Sequence, residues 1–98
     1  MYKTNFINMD TPGIQETHTP EEVAQSISAA FDSVHLINEI IAGNTMTEAT
    51  TEDKESTVER NVGHLKIMLG KEWFTEGCTE EQATDLNAAV TAGEEYIA

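Results

Sequence analysis

The stretch Thr19-Pro20-Glu21-Glu22 through Gly43-Asn44, TPEEVAQSISAAFDSVHLINEIIAGN, decides the fold. Thr19 is placed to cap a helix, Pro20 sits at the first helical position, and Glu22 completes a capping box. Val23, Ile27, Ala30, Val34, Ile37 and Ile41 then follow at steps of four and three, a heptad seam. Phe31 and Ile40 flank the seam and widen its apolar face. Gly43-Asn44 supplies the stop, since glycine takes the left-handed conformation that closes a helix. The spacing predicts a helix over about 20–42.

Two further seams lie downstream. Val58, Val62, Leu65 and Leu69 step by 4, 3, 4, with Met68 beside them, and predict a helix over about 52–69. Thr47 or Thr51 would cap it, and residues 45–57 are open between helix and loop. Gly70 is the plausible stop, although the pattern runs on toward Trp73 and Gly77. Thr79-Glu80-Glu81-Gln82 is a second capping box. Ala83, Leu86, Val90, Gly93 and Ile97 step by 3, 4, 3, 4 and predict a third helix over about 80–97. Its alanines at 88, 89 and 92 make it thin enough for close approach. Residues 1–18 show no helical period, and Pro12-Gly13 marks a turn. The expectation is therefore all-α: a small three-helix bundle over residues 19–98, preceded by an extended N-terminal arm at 1–18. The runner-up is a helical hairpin that dimerises into a four-helix bundle, because a heptad seam is satisfied equally within or between chains.

Charge excludes several functions. The 98 residues hold 18 Asp and Glu against 5 Lys and Arg, a net charge of −13. Such a chain does not hold a phosphate backbone by counterion release, so direct nucleic-acid binding is not expected. An anionic membrane surface repels it as well, and no apolar run is long enough to span a bilayer. The opening MYKTNFINMD lacks the apolar core of a signal peptide, so a cytoplasmic location is expected. The one cysteine, Cys78, has no intrachain partner, and Glu76, Glu80 and Glu81 beside it disfavour a thiolate. Leu, Ile, Val and Phe total 20 residues, close to the limit at which a charged chain offsets its ordering entropy. A partner or self-association would relieve that shortfall.

Catalytic and metal patterns are weak. Asp32, His35 and Glu39 share a helical face, but a solvated polar face accounts for them. No second helix offers a Glu-x-x-His pair, and no EF-hand loop occurs. His64 lies one turn from Arg60, poor company for a cation. No nucleophile elbow, phosphate loop or Cys–His pairing is visible. The expectation is no enzyme, no cofactor and no metal.

What remains points to binding. Lys54, Arg60, Lys66 and Lys71 cluster in one window, and the stretches 4–53 and 72–98 carry no positive residue. Glu48, Glu52, Glu55 and Glu59 step by 4, 3, 4 and would form an acidic stripe on one helical face. Side chains at that spacing start about 5–6 Å apart, whereas phosphates advance about 3.4 Å per step along one DNA strand. The loose match admits DNA mimicry; solubility is the plainer account. Leu36 and Ile67 fall outside the seams, and Trp73-Phe74 stand together beyond Gly70. These four are candidate partner contacts, because aromatic residues are enriched at interfaces. Alternatively the arm, with Tyr2, Phe6 and Ile7, folds back over some of them.

The string ERNVGHLKIML at 59–69, followed by Lys71-Glu72-Trp73-Phe74, resembles the C-terminal part of small proteins encoded by tailed bacteriophages, especially marine ones. The ending AAVTAGEEYIA at 88–98 resembles them too. The resemblance covers roughly the last 40 residues. It carries no activity and no functional residue, and implies a setting: a phage product in an infected bacterium or in a virion. The expected function is a non-enzymatic regulator or inhibitor that docks on a host macromolecule, through a protein partner with a basic surface. The alternative is a virion structural or assembly protein whose N-terminal arm contacts neighbouring subunits. A homodimer is compatible with either.

Overall fold

A computed structural model describes residues 17–98; the expected arm lies almost wholly outside the described residues. The described chain is all-α, with four helices: α1 Pro20–Ala42, α2 Thr51–Leu69, α3 Glu72–Gly77 and α4 Glu80–Ile97.

Each long helix starts where a threonine hydroxyl satisfies an orphan backbone donor. Thr19 Oγ1 accepts from the Glu22 amide at 3.1 Å, and the Glu22 carboxylate accepts from the Thr19 amide at 3.0 Å. Thr79 and Gln82 repeat this reciprocal box on α4. On α2 the cap is Thr50, whose hydroxyl accepts from the Asp53 amide at 3.0 Å. This corrects the expected Thr47 or Thr51, and it settles 51–57 as helix and 45–50 as loop. At the end of α1, Gly43 takes φ 80°. Its amide donates to the Ile40 carbonyl and the Asn44 amide to the Glu39 carbonyl, which together make a Schellman closure.

The core joins all the helices. Ile27, Ala30, Val34, Ile37 and Ile40 come from α1, Val58, Val62 and Leu65 from α2, Phe74 from α3, and Leu86 and Ala89 from α4. Burying each large side chain of this kind contributes about 1.5–3 kcal/mol. Two seam positions differ from expectation. Ile40 is 2% exposed, whereas Ile41 is 40% exposed. A seam of period 3.5 serves one partner helix. α1 packs against α2, α3 and α4, so its buried face is broader and follows the ridge 34–37–40 at its C-terminal end. On α4 the same effect buries Ala89 and leaves Val90 half-buried.

The short α3 is the element that the three-helix expectation lacks. Gly70 stops α2 without a left-handed turn, at φ −82° and ψ −5°. Lys71 then adopts extended backbone, and the chain re-enters a helix for six residues. That single turn and a half carries Phe74 into the core, where it is fully buried.

Two glycines set the helix directions. At Gly77 an added β-carbon would meet Val23 and Ile27, near the start of α1. At Gly93 it would meet Val62, Val58 and Ile37, toward the end of α1 and the middle of α2. α4 therefore runs alongside α1 in the same direction and antiparallel to α2. The Lys66 ammonium donates to the Glu94 carboxylate at 2.9 Å across the α2–α4 seam. Both side chains are about half exposed, so the pair contributes roughly 0.2–1 kcal/mol.

Candidate protein-binding surface

Parallel α1 and α4 bring the two acid-only helices side by side. α1 carries Glu21, Glu22, Asp32 and Glu39; α4 carries Glu80, Glu81, Asp85, Glu94 and Glu95; neither helix has a lysine or arginine. All of these except the half-buried Glu39 are exposed. The cations of the described residues, Lys54, Arg60, Lys66 and Lys71, sit on α2 or at the start of α3. The fold thus sets the two helices that lack lysine and arginine side by side, with Glu94 alone among their carboxylates paired to an α2 cation, Lys66, among the described ion pairs. Helical propensity alone does not cause this; the parallel docking of α4 against α1 does.

Between α1 and α4 runs an open groove of about 520 Å³. Phe31 and Val34 line its α1 wall, with Ala88, Ala89 and Ala92 opposite; His35 from α1 and Asp85 from α4 also line it. The alanines leave this space because they project so little side chain.

The expected acidic stripe is only partly assembled. Glu48 lies in the loop before α2, so the helical spacing does not extend to it. Glu52, Glu55 and Glu59 do lie on α2. Glu55 is half-buried because it continues the line of Val58, Val62 and Leu65 toward the helix start. Glu52 and Glu59, seven residues apart and therefore on one side of that line, remain exposed.

The four candidate contacts also separate. Ile67 is 64% exposed on the outer face of α2. Leu36 is half-buried and packs against the core. Phe74 is withdrawn from the candidate surface: it is 0% exposed, because α3 turns it inward. Trp73 is half-buried, stacked on His18 with ring centroids 3.7 Å apart, and meets Phe74 edge-on at 6.1 Å. Its indole N–H is buried and has no hydrogen-bond partner among the described residues. The sequence placed the aromatic pair on one surface. A short helix instead presents consecutive residues about 100° apart, one inward and one sideways.

Burial pushes the Cys78 thiol above its ordinary pKa. Desolvation is the cause, in place of the neighbouring glutamates that the sequence suggested. Among the described residues, no group of three or more His, Cys, Asp or Glu is placed to hold a metal ion. No helix among them is long and apolar enough to cross a membrane. Asp32, His35 and Glu39 lie along α1 in the sequence order noted above, with Asp32 and His35 exposed.

No protein-family model matches the chain. Comparison with curated proteins and with solved structures likewise gives no match.

Proposed function

We propose that this chain is a non-enzymatic, acidic binding protein that docks through its α1–α4 side onto a protein with a basic surface. The observation that carries the proposal is the pairing of two adjacent helices bearing only carboxylates, with every described cation held on the other elements. Such a one-signed surface steers a partner of opposite sign, raises the association rate and rejects partners of the same sign. It is the chemistry of a regulator or inhibitor of a host macromolecule, with occupation of a nucleic-acid site as its extreme form. The resemblance of residues 59–74 and 88–98 to phage proteins supplies a bacterial setting for that role.

Ile67, a candidate contact in the sequence, stands apart from this docking side. It is the large apolar side chain most exposed among the described residues, and it lies on α2, away from the acid-only side. In this reading the carboxylates set encounter rate and specificity, and the α1–α4 groove, lined by Phe31 and alanines, supplies apolar area.

The test is affinity capture from a lysate of phage-infected bacteria using the full chain, followed by titration of the retained protein at increasing salt. The proposal expects a partner whose affinity falls as salt rises, since exposed charge pairs are screened beyond about 8–10 Å at physiological ionic strength. A partner bound equally well at low and high salt contradicts it. Capture of phage structural proteins alone would favour the virion role.

A further inference from the structure

Two grooves open along α1, one of about 590 Å³ and one of about 520 Å³. Pro20, Ala24 and Ile27 line the first, and Phe31, Val34 and Asn38 line the second. These positions step by 4, 3, 4, 3, 4, so a single face of α1 lines both grooves. Opposite it, α4 supplies Gln82 to the first and Asp85, Ala88 and Ala92 to the second. The grooves therefore follow one another along the α1–α4 junction as one trough, over about 27 Å from Pro20 to Asn38. The spacing on α1 is that of a coiled-coil seam. Ile27 and Val34 turn mainly to the core, each 8% exposed, whereas Ala24 and Asn38 are exposed. Ile41, three residues past Asn38, continues the line and is 40% exposed. α1 thus carries a second heptad line that opens to the outside along α4.

Taking the α1–α4 side as the docking side, we infer that this trough seats one helix of the partner, amphipathic, with apolar side chains at heptad spacing and lysine or arginine on its flanks. A helix of about 18 residues matches the length of the trough. Its apolar side chains pack against Ile27, Phe31 and Val34, and Ala88 and Ala92 let its backbone approach closely. Charge selects the flanks. Neither α1 nor α4 carries a lysine or arginine. Asp85 lines the trough itself, Asp32 follows Phe31, and Glu81 precedes Asp85 by one turn. A helix with cations beside its apolar stripe meets these carboxylates. A second copy of the chain would bring its own acid-only helices to the same place and be repelled. The occupant is therefore a basic helix of a different protein.

The probes are two synthetic leucine–lysine peptides of about 18 residues, identical in composition. In one the leucines fall at heptad positions; in the other they are scrambled so that no face is apolar. Binding to the full chain is read by fluorescence anisotropy at low and high salt, and circular dichroism reads the helix gained. The same titrations use the variant Ala24→Glu with Ala88→Glu, which adds two carboxylates at exposed positions of the trough; its own circular dichroism checks its fold. If carboxylates alone hold the partner, this variant binds more tightly. If the trough seats an apolar stripe, the added charges are buried on binding and weaken it. The inference expects the heptad peptide to bind several-fold more tightly than the scrambled one, to gain helix, and to bind several-fold more weakly to the variant. Equal binding of the two peptides, or undiminished binding to the variant, overturns it; if that binding still weakens with salt, the acidic docking side stands without the trough. Binding of neither peptide, or binding indifferent to salt, removes the acidic docking side as well. A dimer of the full chain that the variant dissociates, seen by sedimentation, gives the trough to a second copy and overturns the inference.

Discussion

Gly93 on α4 lies so close to Val62 on α2 that a β-carbon at position 93 would overlap the valine Cγ2 and come within 3.2 Å of Val58 Cγ1. The helices meet there at backbone distance, and Ile37 of α1 closes the third side. Gly93→Ala gains about 1 kcal/mol of helix propensity but overpacks a β-branched contact, at a cost of about 1–3 kcal/mol. The expected result is net destabilisation, measured by urea unfolding. Val62→Ala made in the same chain should recover part of the loss, giving a double-mutant coupling of opposite sign to the single effects. Additive losses would mean that the two residues do not touch.

Phe74 and Ile67 were indistinguishable as candidate contacts in the sequence, and the fold assigns them opposite roles. Phe74→Ala removes a fully buried ring and should cost about 3–5 kcal/mol of stability. Ile67→Ala, at an exposed site, should change stability by less than about 0.5 kcal/mol. Thermal unfolding of the two variants separates them directly.

The capping threonines make a graded series. Thr79→Ala breaks a reciprocal box, and Thr50→Ala removes a single hydroxyl acceptor from α2. Each should lower stability by about 0.5–2 kcal/mol. Thr47→Ala and Thr51→Ala should be near neutral, because neither is the cap.

Cys78 holds its proton to higher pH in the folded chain than in the unfolded one, because burial disfavours the thiolate. A group whose folded pKa is raised in this way stabilises the fold less as pH climbs through the interval between the unfolded and folded values. Stability should therefore fall above the ordinary thiol range. The fall should be smaller in Cys78→Ala. At mildly alkaline pH, alkylation by iodoacetamide should be slower in buffer than in urea.

The helices were legible because each announces itself twice, by a cap and by a period. Thr19–Glu22 and Thr79–Gln82 fixed two starts, and Gly43 fixed one stop. Thr50 was legible too: it precedes Asp53 by three residues, the spacing of a capping motif, but a run of threonines obscured it. α3 was not, because six residues after a glycine carry too little periodicity to distinguish a helix from a loop. Ile41 was misplaced because a one-partner seam cannot describe a helix with three neighbours. The acidic side was half legible. The positive-free stretches stand in the sequence, but only the parallel packing of α1 and α4 brings them together. Of the stripe at 48–59, Glu48 lies in the loop before the helix, and Glu52, Glu55 and Glu59 lie on α2, with Glu55 half-buried.

The acid-only side is the centre of the functional account, and one measurement tests it most directly. Glu81→Gln and Asp85→Asn together remove two exposed carboxylates from α4, at sites that carry no described cap or core contact. The dissociation constant of the captured partner is then measured against salt concentration for this variant and for the unaltered chain. The account predicts weaker binding at low salt in the variant and a shallower dependence on salt, with the two curves converging at high salt. Identical curves, or salt-independent binding by the unaltered chain, would contradict it.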